Sequence, residues 1–168
     1  MQYFNFYQSP LGRMTLASDG EKLTGTWFNG QKYDRHGLSK TVLEKNLLVF
    51  NETKHWLDLY FSGQVPTFTP ALAISGTNFQ KQVAVEMLKI PFGKTTTYGK
   101  IAALIAHKLD KKVSARAVGA AVGQNRIALI IPCHRVIGAN GQLTGYAGGL
   151  ERKAILLKLE KTTIKLPR

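Results

Sequence analysis

The chain has 168 residues, 44% of them hydrophobic, with one cysteine and a formal net charge of +13. This length suits one large domain or two small ones. A lone cysteine excludes an internal disulfide and a thiolate zinc cluster and fits a reducing compartment such as the cytoplasm or nucleus; no stretch approaches the roughly 20 apolar residues of a membrane span, and the first six residues lack a secretory pattern. Residues 1–80 hold 7 Lys+Arg and 6 Asp+Glu, and residues 81–168 hold 16 and 4, so the net charges are +1 and +12. A basic half joined to a neutral half points to a polyanion partner, usually nucleic acid; a basic surface kept for solubility is the plainer alternative.

Residues 1–30 read as a β-meander, with turns at Ser9-Pro10-Leu11-Gly12, Ser18-Asp19-Gly20 and Asn29-Gly30. Residues 40–62 read as helical, because Val42, Leu43, Leu47, Leu48, Phe50, Trp56, Leu57 and Tyr60 recur at helical spacing. Gly63, Pro66 and Pro70 mark residues 63–75 as a linker, which divides the chain into a supporting lobe, 1–75, and a mostly helical lobe, 76–168. In the second lobe Thr77 is placed to cap a helix whose face is Phe79, Val83, Met87 and Leu88. Thr97 precedes a short apolar helix from Tyr98 to Ala106, followed by a basic loop from His107 to Lys112. Ser114 caps a helix from about Ala115 to Val122. Two short helices around a tight connection suggest a helix-turn-helix. The apolar run Leu129-Ile130-Ile131 leads into Pro132-Cys133-His134-Arg135-Val136. A glycine-rich segment follows, then a last helix from Leu150 to about Glu160. The expected class is α+β.

A lone cysteine is by default a small buried hydrophobe. Reactivity requires a lowered pKa and access. The context of Cys133 favours reactivity: His134 is adjacent, Arg135 adds positive charge, and nearby cations favour the thiolate. Neighbouring side chains on a strand face opposite ways, so Cys133 and His134 cooperate only across a bend or through a water, and Pro132 supplies a reason for a bend.

The run Pro-Cys-His-Arg-Val resembles the active-site motif of the 6-O-alkylguanine-DNA alkyltransferases. Arg116-Ala117-Val118-Gly119 and Asn125 resemble that family's recognition helix and asparagine hinge, and Gly145-Tyr146-Ala147-Gly148-Gly149-Leu150 resembles its active-site loop. Ile90-Pro91-Phe92-Gly93, Thr97-Tyr98-Gly99, Tyr60-Phe61-Ser62-Gly63 and Gly76-Thr77-Asn78-Phe79-Gln80 extend the resemblance over almost the whole chain. The resemblance implies a ribonuclease-H-like first lobe and a second lobe that binds DNA. It implies that Cys133 accepts the alkyl group, His134 relays its proton through a water, and Glu160 orients His134. It further implies that Tyr98 donates toward the guanine ring, Arg116 fills the base stack, and Asn125 ties the recognition helix to the cysteine segment. Contacts to DNA are expected from Arg116, Tyr98, Thr97, Ala117, Gly119 and Arg135, and the pocket from Tyr146, Ala147, Gly148 and Val136. Three positions depart from the family's pattern: Ala84 stands where tryptophan is usual, the 107–112 loop is longer, and Ala147 stands where some members have serine.

The residues support the same picture independently. The helix after Ser114 is built largely of Ala and Gly, so it offers few side chains to read major-groove edges but can approach a minor groove closely, where the code is degenerate. A target atom inside the duplex requires base flipping. Attack by the thiolate yields a thioether, and with no second cysteine to resolve it the expected outcome is one turnover per molecule with no cofactor or metal. The expected partner is double-stranded DNA carrying alkylated guanine, bound by a monomer. Two rivals are weighed: a DNA-lesion sensor without transfer activity, against which Cys133 argues, and a Cys–His hydrolase, which explains neither the basic half nor the small-faced helix.

Overall fold

The computed structural model describes residues 1–161. The chain folds as two compact units, residues 1–75 with 126–130, and residues 76–125 with those from 131 onward. No helix among the described residues is long and apolar enough to cross a membrane.

The first unit is a four-stranded sheet in the order β3-β2-β1-β4. β1 (Gln2–Ser9), β2 (Gly12–Ser18) and β3 (Leu23–Phe28) form the antiparallel meander expected from the turn signals. The Ser9 hydroxyl makes the first turn, accepting from the Leu11 amide and donating to the Gly12 carbonyl, while Gly12 takes a φ of 116° that disfavours a side chain. Helix α1 (Leu48–Phe61) packs on β1 and β2 and buries Phe50, Leu57 and Tyr60.

Two features differ from the sequence reading. The helix begins at Leu48, not near 40, because Val42–Glu44 forms β4, a parallel edge strand paired with residues 2–4 of β1. Residues 126–130, read as part of the second lobe, fold with the first. The Thr26 amide donates to the Arg126 carbonyl at 2.8 Å and the Thr26 hydroxyl to the Ala128 carbonyl at 2.7 Å. Together with a bridge between Leu23 and Leu72, this covers the outer edge of β3, which would otherwise present unpaired backbone groups.

The second unit holds α2 (Asn78–Leu88), α3 (Tyr98–Leu109), α4 (Ala115–Gly123) and α5 (Leu150–Leu159). Both predicted caps, Thr77 and Ser114, are present, and Thr97 forms a third. Thr77 and Gln80 close a reciprocal capping box, Thr97 accepts from the Lys100 amide, and Ser114 accepts from the Ala117 amide. Helix α3 runs one turn further than expected, so His107 and Lys108 lie in its last turn, where cations oppose the negative helix end. The Lys108 ammonium also pairs with Glu86 of α2, a carboxylate only 5% exposed that Lys89 contacts too. The connection before α4 is therefore shorter than the basic run suggested. Two residues, Thr96–Thr97 (β5), pair in parallel with Val136–Ile137 (β6), which sets the start of α3 beside the cysteine segment.

Candidate active site

Cys133 does not lie on a strand. The Cys133 amide donates to the Ile131 carbonyl at 2.8 Å across Pro132, whose φ of −82° and ψ of 66° make an inverse γ-turn. Cys133–Arg135 then forms one 3₁₀ turn. The bend that Pro132 suggested is present. Asn125, just beyond α4, donates from Nδ2 to the Ile131 carbonyl at 3.0 Å and also hydrogen bonds the thiol. The end of α4 is thus tied to the cysteine segment.

Glu160, at the C-terminal cap of α5, is the hub of the site. Its Oε2 lies 2.6 Å from His134 Nε2, and its Oε1 accepts from Arg135 Nε at 2.8 Å and from the Gly93 amide at 2.9 Å. Arg135 also donates from Nη2 to Oε2 and from Nη1 to the Ile90 carbonyl. The side chains of His134 and Glu160 are fully buried. Gly93 sits at a φ of +79°, and a Cβ added there would stand 3.2 Å from the Glu160 carbonyl oxygen, so the Pro91-Phe92-Gly93 turn docks its backbone on the end of α5. Burial pushes the Glu160 carboxyl upward, but His134 and Arg135 outweigh it and bring it to about 2. Burial holds His134 below its ordinary value despite Glu160. The stable resting arrangement is an ionised Glu160 accepting from Nε2–H of a neutral imidazole, which leaves the lone pair on Nδ1.

The electrostatics of Cys133 differ from the expectation. Burial raises the thiol above its usual range, and the hydrogen bond from Asn125 and the charge of Lys153 only partly offset this. The cations next to it in sequence do not ionise it: His134 is neutral, and the charge of Arg135 is engaged with Glu160. A thiol that is 6% exposed therefore rests protonated.

Arg135, expected at DNA, is 7% exposed with its guanidinium spent on Glu160 and Ile90, so it is an internal strut. Val136, expected in the pocket wall, is fully buried in β6. Arg116 and Ala117 are exposed on α4, opposite buried Val118, Ala121 and Val122; Gly119 is half-buried beside the Tyr98 ring. Thr97 is half-buried, its hydroxyl used as the α3 cap. Tyr98 is half-buried, and burial raises its phenol so that it keeps its proton. The Tyr146 hydroxyl is buried with no hydrogen-bond partner among the described residues, and burial and the nearby Cys133 raise it strongly. Ala147 is half-buried and Gly148 buried, with the Gly148 carbonyl accepting from Arg152. Ala84 is buried within α2.

Lys153 was not anticipated. It is fully buried, and its ammonium donates to three carbonyls: Val136 at 2.6 Å, Thr144 at 3.0 Å and Gly145 at 3.2 Å. Its position on the otherwise apolar stripe with Leu156 and Leu157 was the available signal. Among the described residues no group of His, Cys, Asp and Glu could hold a metal ion.

Comparison with known proteins places this geometry. Residues 78–162 match the model of the 6-O-methylguanine DNA methyltransferase DNA-binding domain, and residues 2–74 match that of the same family's ribonuclease-like domain. A methylated-DNA–protein-cysteine methyltransferase of Mycobacterium bovis is 42% identical, covering 96% of this chain and 94% of that one. One of Methanosarcina acetivorans is 43% identical, covering 94% and 97%. The crystal structure of Mycobacterium tuberculosis OGT in complex with DNA superposes with a TM-score of 0.81 at 42% identity, covering 95% of this chain and 92% of that one. With both family models matched in chain order over nearly its whole length, this chain belongs to the 6-O-methylguanine DNA methyltransferase family.

Proposed function

We infer that the chain is a DNA repair protein that transfers an alkyl group irreversibly from the 6-oxygen of guanine in DNA to the sulfur of Cys133. The observation that carries this assignment is the buried Cys133, held by Asn125 and followed by the His134–Glu160 pair, in the basic half of a member of this family.

The proton on Cys133 must leave as the sulfur attacks. His134 is the base, its Nδ1 taking the proton through a water, and the ionised Glu160 stabilises the imidazolium that forms. Here Glu160 performs the part that a buried aspartate performs in hydrolytic triads. The new bond is sulfur to alkyl carbon, and the bond that breaks is alkyl carbon to guanine oxygen. The electron pair of that bond passes into the guanine ring. Tyr98, which keeps its proton at neutral pH, donates toward the ring and improves the leaving group. The product is an S-alkylcysteine. A thioether is a poor leaving group and the chain has no second thiol, so each molecule acts once.

Delivery of the base falls to α4. Its exposed face is Arg116, Ala117 and Ala120, small enough to enter a minor groove with one long cation at its start. Arg116 takes the place of the extruded nucleotide, at a flipping cost of a few kcal/mol that alkylation of the pair reduces. The protein acts as a monomer in a reducing compartment, on duplex DNA carrying alkylated guanine.

Intact mass after incubation with duplex DNA containing 6-O-methylguanine tests the reading. The expected result is a gain of one methyl, located on Cys133 and saturating at one per chain. Bound DNA with unchanged protein mass would refute transfer and establish a lesion sensor. Cys133→Ala should abolish the gain and leave DNA affinity nearly intact.

A further inference from the structure

Tyr98 needs more than a raised pKa to serve as a proton donor: its O–H must point at the base. A phenol rotates freely about its C–O bond unless a neighbour fixes it. The neighbour here is Thr144, whose Oγ1 donates to the Tyr98 hydroxyl oxygen at 3.3 Å. Once that oxygen accepts from Thr144, its own hydrogen is directed elsewhere.

Thr144 is held from three sides. Its carbonyl accepts from the buried Lys153 ammonium at 3.0 Å, and the same ammonium grips Val136, the residue after Cys133-His134-Arg135. Its methyl lies against Gly138, where an added Cβ would stand 3.0 Å from Thr144 Cγ2, so a side chain there would press on this rotamer. Its hydroxyl meets Tyr98. Lys153 has three N–H donors and three carbonyl acceptors, so the anchor is saturated. One cation thus links the cysteine segment to the residue that touches the phenol. Nothing in the family resemblance singled out Thr144.

We propose that Thr144, anchored by Lys153, is a positioning residue that orients the Tyr98 phenol for protonation of the departing guanine. Its donated hydrogen bond also stabilises the phenolate that Tyr98 becomes as it gives up its proton, since a hydrogen bond to the charged form favours that form. In the resting protein the same contact opposes the rise that burial imposes on Tyr98. This role rests on the reading of Tyr98 as the proton donor.

The test compares single-turnover methyl transfer from duplex DNA containing 6-O-methylguanine with alkylation of Cys133 by iodoacetamide, which needs no guanine leaving group. Thr144→Val keeps the shape and removes the hydroxyl; it should slow transfer roughly three- to tenfold, the range of one neutral hydrogen bond. Thr144→Ser should restore the rate to within about twofold. Iodoacetamide should react with all three proteins at the same rate. In a Tyr98→Phe background, Thr144→Val should cost nothing further, because its effect passes through the phenol. Wild-type transfer with Thr144→Val unimpaired would overturn the proposal. So would a loss that persists in Tyr98→Phe, or an equal fall in iodoacetamide reactivity. A Tyr98→Phe protein as fast as wild type would overturn the Tyr98 role, and a wild-type protein that gains no methyl would overturn alkyl transfer itself.

Discussion

Glu160→Gln removes a charge without changing shape, and the structure assigns that charge a magnitude. Four contacts of 3.3 Å or less reach this carboxylate, from His134, from Arg135 twice and from the Gly93 amide. Folding lowers the carboxyl from 4.5 to about 2. At ~1.4 kcal/mol per unit this corresponds to about 3 kcal/mol of stability at neutral pH. Removing one partner of a buried ion pair costs a similar ~3–5 kcal/mol, because Arg135 is left without its counter-charge. A depressed carboxyl stabilises above its unfolded value and loses that contribution as pH falls through its folded value. The window is therefore about 4.5 down to about 2. Urea unfolding of wild type and Glu160→Gln should differ by about 3 kcal/mol at pH 6 and converge as pH approaches 2. Transfer should fall at least roughly tenfold in the variant at pH 7, since His134 loses the anion that stabilises its protonated form. A stability difference below about 1 kcal/mol at pH 6, or one that does not shrink with acid, would refute the reasoning about the hub.

Two further outcomes follow from the same geometry. Because burial raises the Cys133 thiol, its rate with iodoacetamide should still be climbing at pH 9, whereas the urea-unfolded chain should follow an ordinary thiol; a plateau below pH 8 in the folded protein would contradict a protonated resting thiol. Arg116→Ala should slow transfer from duplex DNA by at least roughly tenfold while leaving reaction with the free base 6-O-methylguanine nearly unchanged, and equal losses on both would remove Arg116 from the flipping step.

The parts of the molecule that were legible in the sequence are those whose cause is local. Thr77, Thr97 and Ser114 announce helix starts because a cap acts over three residues. The cysteine run and the glycine-rich loop are contiguous, so a motif carries them. The misread parts depend on partners far along the chain. Val42–Glu44 carries apolar spacing that suits a helix, and it is a strand only because residues 2–4 lie alongside. Residues 126–130 join the first unit through Thr26, about a hundred positions away. The pairs Thr96–Thr97 and Val136–Ile137 are too short for a period-2 signal. Arg135 looked like a cation for DNA or for the thiol because its acceptors, Ile90 and Glu160, are 45 and 25 residues distant. Lys153 was missed for a similar reason: a lysine on a helix is ordinarily solvated, and its place on the apolar stripe is a weak signal until its three distant carbonyl partners are seen.

The correction to Cys133 bears on how a reagent used once must be built. A thiol ionised at rest is a nucleophile toward any electrophile, and a protein without turnover cannot recover from a wasted reaction. Burial keeps the proton on the resting sulfur, and the proposed mechanism has it leave only when the alkylated base is bound. The cost is that deprotonation must occur within the complex, and the surrounding charges serve that moment rather than the resting state. Glu160 is ionised in advance and is placed to stabilise His134 as, in the proposed mechanism, it takes the proton. Lys153 supplies a fixed positive field, burial lowering it only to about 8 so that it stays largely protonated at neutral pH. Its charge favours the thiolate as it forms and draws little from solvent, because it is already held by three carbonyls. The cations that the sequence placed next to the cysteine are thus not charges that act on it at rest. One is neutral until it takes the proton, one holds the carboxylate in place, and the charge that acts on the sulfur comes from a helix twenty residues further on.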